Sequence, residues 1–283
     1  MESITELRKI CQTTAKKDRS NVYMRYVCRF FSIYITRFLI PLGISANQVS
    51  LLMIITGILA SCFFLSSSAV LFLLGALLLQ LWYLLDNVDG EVARYRHFQK
   101  AGSMVSDKKD SLLEGMYYDM INHYIVNLLV PTTIGFGLFR LSGSEFYILL
   151  GLLGGLAQVL MLAMFDARYR TIWFHLKKYR SVQIVKAEGK SEGSPEGKAK
   201  EENVWKYGFM AMHYTVTYPT VMNLVTIAAL FNFIFPVGEW RIGLLWYLTI
   251  ASVLVTGILI SRTILNRTLT AEFCRDFIPS DHT

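Results

Sequence analysis

Apolar residues along this chain gather in long runs, far longer than the spaced pairs that face a water-soluble core. Runs of about 20 apolar residues match a hydrocarbon core of roughly 30 Å. They predict spans at 48–66, 69–92, 112–139, 146–166, 207–234 and 242–261. Residues 21–42 follow another pattern. Arg25, Arg29 and Arg37 recur four and eight residues apart among aromatic and aliphatic residues, near one helical face. That spacing predicts an amphipathic helix lying in the membrane interface, ended by Pro41 and Gly43. Ser45, Ala46 and Asn47 then supply N-cap residue types for the first span. The long polar stretch between spans is 168–206, and its Lys-, Glu-, Gly- and Ser-rich centre, Lys186 to Glu202, predicts a flexible loop. The expected fold is all-α: a polytopic membrane bundle of six helices over 48–266, preceded by segment 1–47 and followed by a tail, 267–283.

Charge gives that map an orientation. Of the 28 Lys and Arg residues, all but Arg140 and Arg241 fall in the termini and in the loops that six spans place on the same side. Basic residues accumulate on the cytoplasmic side, so both termini are expected there. The net charge of +7 belongs to this topology, and no nucleic-acid partner is expected. Composition agrees: 53% of residues are hydrophobic and 17% charged, where soluble domains carry about 25% charged residues. Met1 to Asp18 is polar and basic, without the apolar centre of a signal peptide. Cys11, Cys28, Cys62 and Cys274 lack metal-type spacing, and a reducing environment without a disulfide framework is expected.

Against this apolar background the acidic residues stand out. Span two ends in Asp86-Asn87-Val88-Asp89-Gly90-Glu91-Val92-Ala93-Arg94, with Asp86, Asp89 and Ala93 three and four residues apart on one helical face. Near the start of span three, Asp119 and His123 are four apart. Adjacent antiparallel spans bring these groups to one depth at the cytoplasmic end. Carboxylates at a membrane boundary are costly and mark function. A cluster of them calls for hard divalent cations such as Mg²⁺ or Mn²⁺. Gly90 and Ala93 carry no bulk, so a ligand can approach the backbone.

These residues resemble the signature of the CDP-alcohol phosphotransferase family, Asp-x2-Asp-Gly-x2-Ala-Arg followed by Gly-x3-Asp-x3-Asp. Asp86, Asp89, Gly90, Ala93 and Arg94 match its first half, and Gly115 and Asp119 its second; Asn47 resembles the Asn that often opens the first span. The chain departs from the pattern in the longer separation of Arg94 from Gly115 and in His123, which occupies the place of the last aspartate. Lys100, Lys108, Lys109 and Asp110 fall in that insert, expected as a cytoplasmic elaboration. Placing the second half at Gly102 fails, because Ser106 stands where Asp is required.

The resemblance implies a membrane enzyme that moves a substituted phosphate from a CDP-linked donor, CDP-diacylglycerol or a CDP-alcohol, to an acceptor alcohol and releases CMP. It implies one or two Mg²⁺ or Mn²⁺ ions held by Asp86, Asp89, Asp119 and His123. It also implies donor binding by Asn47, Asp86, Asp89, Gly90, Ala93, Arg94 and Gly115, with His123 as base or metal ligand. At least one substrate is lipid, and a homodimer is compatible with it. Two other classes fit intramembrane acids: a cation-coupled transporter, and an inactive relative that binds nucleotide. Arg168, Arg170, Lys177, Lys178 and Arg180 suit anionic headgroups or a phosphorylated acceptor. His175 and His213 have no constellation around them in the sequence.

Overall fold

The computed structural model describes residues 2–12, 22–101, 113–178, 182–184, 199–235, 238–265, 269–270 and 277–279. Lys108, Lys109, Asp110, Arg180, Cys274, all of 185–198 and most of the tail lie outside the described residues, as do the side chains of Lys100 and Lys178. The first helix, α1 (Ile4–Cys11), forms where Ser3 and Glu6 close a capping box: the Ser3 side chain accepts from the Glu6 N–H, and Glu6 returns a bond to the Ser3 N–H. By composition alone this segment reads as polar and basic. Its signal was Ser-x-x-Glu ahead of Leu7, Ile10 and Cys11, which are buried.

A π-helical turn (Met24–Cys28) leads into α2 (Arg29–Leu39), which ends before Gly43 at φ +76°. Its buried face carries Ser32, Ile33 and Thr36, while Phe30, Phe31, Tyr34 and Phe38, with Tyr26 of the preceding turn, are exposed. A second capping box, Ser45 with Gln48, starts α3 (Ala46–Phe64). The long helices α4 (Ala69–Ala101), α5 (Leu113–Ser142) and α6 (Phe146–Lys178) follow. After them come α7 (Ala199–Thr215), α8 (Thr220–Ile234) and α9 (Trp240–Leu265). Val182–Ile184 (β1) pairs antiparallel with Phe277–Pro279 (β2), joining the chain beyond α6 to the tail.

Five of these helices are long and apolar enough to cross a membrane, and the bent pair α7–α8 raises the number to six if it counts as one span. The bend differs from the continuous span read over 207–234. The helix breaks by 61° between Thr215 and Thr220. Pro219, the α8 N-cap, offers no N–H to the preceding turn and disfavours helical geometry in the residue before it. Residues 199–202, expected as loop, are already helical in α7.

Large side chains fill the interior, among them Met53, Phe64, Phe72, Leu79 and Trp82. The outward faces are apolar as well: Leu51, Ile55 and Leu59 on α3, Leu74 and Leu77 on α4, Leu149, Leu153 and Leu156 on α6. Helices apolar inside and out belong in lipid, where their internal hydrogen bonds satisfy the backbone. The chain is a multi-pass membrane protein. Close backbone packing fixes α5 against α6: a Cβ on Gly151 would meet the Pro131 carbonyl oxygen at 2.5 Å, and one on Gly155 the Leu128 oxygen at 2.6 Å.

Thr249 and Thr256 of α9 donate to the carbonyls of Leu150 and Ala157 of α6, both at 3.0 Å. The two positions advance together, so α6 and α9 run parallel. Arg140 and Arg241, expected as loop cations, instead bind backbone at the end of α3. Arg140 donates to Leu65 O, and Arg241 to Ser66 O and Ser67 O, at 3.1–3.5 Å. Carbonyls left open at a helix C-terminus attract such cations.

Candidate metal centre

The α4 helix delivers Asp86 and Asp89 from successive turns, and α5 runs back past it carrying Asp119 and His123. His123 Nε2 lies 3.3 Å from Asp119 Oδ1 and 3.7 Å from Asp86 Oδ1. One ligand atom from each of Asp86, Asp119 and His123 lies within 4.8 Å of the other two, close enough for a single ion. Asp89 is outside this triad; its Oδ2 accepts a 2.8 Å bond from Ser50 of α3. Nothing in the sequence pattern marks Ser50 as this partner.

Two oxygens test whether a cation suits the site. Asn47 Oδ1 is buried without a hydrogen-bond partner, and Asp119 Oδ1 is buried with only the His123 imidazole beside it, at 3.3 Å. Asn47 opens α3 beside Gly115, where a Cβ would stand 3.7 Å from that oxygen, and Gly115 is one turn before Asp119. Buried acceptors short of donors, beside clustered carboxylates, fit a divalent ion or a ligand that donates. Two carboxylates with an imidazole form a mixed oxygen–nitrogen set, which Mn²⁺ accepts more readily than Mg²⁺ does.

His123 is held from the membrane side. The Trp82 ring meets it edge-on at 5.3 Å, and Trp82 Nε1 donates to Asn122 Oδ1 at 3.1 Å. Gly57 makes room for Trp82, since a Cβ there would lie 2.9 Å from the indole. Tyr124, next in sequence, donates to the carboxylate of Asp166 on α6.

The rest of the motif faces the N-terminal helices. Arg94 donates through Nε to the carbonyl of Cys11, and its guanidinium lies over Gly90, where a Cβ would come within 3.1 Å of Nη1. The space expected above Gly90 for a ligand is taken by this side chain. Ala93 sits half-buried one residue before Arg94. Glu91, unremarked in the sequence, is almost fully buried. Its carboxylate accepts from Ser32 (2.6 Å), Thr36 (2.7 Å) and Gln12 (2.7 Å), and Gln12 also donates to the Arg29 carbonyl at 2.8 Å. Glu91 thus ties α1 and α2 to the turn of α4 that bears the acidic pair. Burial pushes the Cys11 thiol up to about 12, with the Glu91 charge adding to the shift.

Arg168, Arg170 and Lys177 lie on α6 beyond its apolar stretch, and Arg170 stacks on Phe174. None belongs to the triad. No protein-family model and no curated protein matches this chain. The functional reading therefore rests on the residues of the site.

Proposed function

We propose that this chain is a membrane phosphotransferase that transfers a substituted phosphate from a CDP-linked donor to an acceptor alcohol and releases CMP. The observation that carries the reading is the convergence of Asp86, Asp119 and His123, with Asp89 one turn along, in the order of the family signature. In the transfer the acceptor oxygen bonds to the phosphorus that bears the alcohol, the bond to CMP breaks, and the acceptor proton leaves. His123 takes that proton at Nε2, as neutral imidazole can. A bound Mg²⁺ or Mn²⁺ would neutralise phosphate charge and the departing CMP. Asp86 and Asp119 would hold it, with Asp89 adjacent; His123 would join them as a ligand only in its rival role, in which that nitrogen no longer takes the proton. Arg94, exposed over Gly90, offers its Nη groups to a donor phosphate while its Nε stays on Cys11.

In this reading α7 and α8 form one broken span, making six crossings. The parallel run of α6 and α9 supports it, because the chain between them must cross back once. The exposed aromatic face of α2 supports an interfacial helix, and the skew of basic residues supports cytoplasmic termini and active site. The broken α7–α8 span also favours a second reading, a cation-coupled transporter, since such proteins build sites at interrupted helices. The acids, however, lie on α4 and α5 near one end of the bundle.

The deciding experiment mixes purified protein with CDP-diacylglycerol or with labelled CDP-alcohols, in Mn²⁺ or in EDTA, and follows CMP and the lipid product. Divalent-dependent CMP release is expected. Cation flux into proteoliposomes without CMP release establishes the transporter instead.

A further inference from the structure

Two uncharged runs of twenty residues end side by side in this bundle. Phe146 to Phe165 of α6 and Ile242 to Ser261 of α9 each rise about 30 Å, the thickness of a hydrocarbon core. Asp166 and Arg262 follow them. The bonds from Thr249 to Leu150 and from Thr256 to Ala157 set the two ends level within about one turn. A cavity of about 180 Å³ opens between the helices at that boundary. Met164, Phe165 and Leu259 form its apolar side, and Arg168, Thr171 and Thr263 its polar side. Among the described residues no carboxylate lines it, and no wall comes from α4 or α5, so it is separate from the metal centre. Thr171 is exposed and Arg168 and Leu259 are half-buried, so both sides are reachable from the surface.

This order of walls is that of the bilayer itself. Arg168 stands three residues beyond Phe165, about 5 Å further out along α6, which is the depth of the headgroups. A cation there, above an apolar wall, meets the phosphate of a lipid whose chains run down past Phe165 and Leu259. A guanidinium presents five N–H donors in a fork that suits phosphate, so it can serve one beside any contact it makes within the chain. A free phosphate would leave the apolar side unfilled, and a zwitterionic lipid brings a competing cation of its own. Further along α6, Arg170 stacks on Phe174, and Trp173 and Lys177 are exposed, the aromatic and basic mix of a membrane interface. We propose that the cavity between α6 and α9 binds one anionic phospholipid of the surrounding bilayer, its phosphate on Arg168 and its acyl chains on Met164, Phe165 and Leu259. This site does not rest on the phosphotransferase reading.

The test titrates dioleoylphosphatidylglycerol or dioleoylphosphatidylcholine into delipidated full-length protein, in neutral detergent with EDTA, and reads the first lipid bound by native mass spectrometry. Wild-type protein is expected to bind the phosphatidylglycerol about tenfold more tightly, the scale of one bond to a charged group. Arg168→Gln should bind the two lipids alike. Arg170→Gln, outside the cavity, and Asp119→Asn, in the metal centre, should keep the wild-type ratio, so loss of the metal reading leaves this one standing. An excess of inorganic phosphate should not displace the lipid; displacement would make this a site for free phosphate and overturn the proposal. Equal affinities in wild-type protein overturn it, as does a preference that Arg168→Gln leaves intact or that Arg170→Gln removes as fully, since diffuse surface charge then accounts for it. If Arg168→Gln does not fold, Leu259→Trp decides: it fills the apolar side and should weaken phosphatidylglycerol about tenfold, and unchanged binding overturns the proposal.

Discussion

At His123 one nitrogen stands between two carboxylate oxygens, and substitutions there separate its roles. His123→Asn removes both base and ligand chemistry and should abolish CMP release. His123→Asp should retain part of it and move the metal preference from Mn²⁺ towards Mg²⁺, because an all-carboxylate set is harder. Rates across the two metals check this; an unchanged preference removes His123 from the ligand set. Asp119→Asn keeps the shape and removes a charge from the triad. Turnover should fall about 10²–10³-fold, the scale of losing one electrostatic stabiliser, and Mn²⁺ binding measured by calorimetry should weaken with it. The triad was legible in sequence because helical spacing fixes faces, and antiparallel neighbours bring opposite ends of the sequence to one level. Ser50 was not legible, since its bond to Asp89 spans 39 residues and a lone serine in an apolar helix has no pattern.

At the scale of elements, α1 is part of the site's frame. Glu91 and the Cys11 carbonyl attach it to α4, and neither bond shows in the sequence: Gln12 and Glu91 are 79 residues apart. Glu91→Ala leaves Ser32 and Thr36 without their acceptor and Gln12 with the Arg29 carbonyl alone, a loss on the order of 2–3 kcal/mol. Cys11 reports the docking. Buried and with its thiol pushed up to about 12, it is protonated at pH 8 and should resist maleimide. Reactivity should rise only as pH climbs towards 12, since the thiolate is the nucleophile. Glu91→Ala should expose it to labelling at pH 8, and equal resistance in the variant would mean α1 docks without Glu91. The α7–α8 break carries the opposite lesson. Pro219 was visible in the sequence, but apolar residues continue on both sides of it, and periodicity cannot register a change of direction.

For the whole molecule, the two ends of the bundle differ in kind. One end carries the acids, the N-terminal helices and the basic α6 extension; the other is closed by Arg140 and Arg241 on the α3–α4 turn. Cysteines introduced at Ser142 and Ser191, on a cysteine-free background, should be labelled from opposite sides of the membrane. Labelling of both from outside the cell would dismiss the six-crossing arrangement. The basic-residue skew was readable without a structure. The work done by its two exceptions was not, because a loop cation and a cation bound to distant carbonyls look alike in a sequence.

Arg241 also says something about time. It is almost fully buried, paired with Glu239 at 2.9 Å, and bound to Ser67 of a turn made 174 residues earlier. Chains emerge from the N-terminus first, so in the proposed arrangement with cytoplasmic termini the α3–α4 turn waits across the membrane before α9 exists. A lone guanidinium crossing hydrocarbon is expensive; beside Glu239 it travels as a neutral pair and unloads onto a berth already built. Glu239→Ala should therefore delay insertion of the last hairpin in a pulse-chase protease-protection assay, while Glu239→Ala combined with Arg241→Leu should insert on time. Equal delay in both variants would show that the final crossing is timed by something other than this charge.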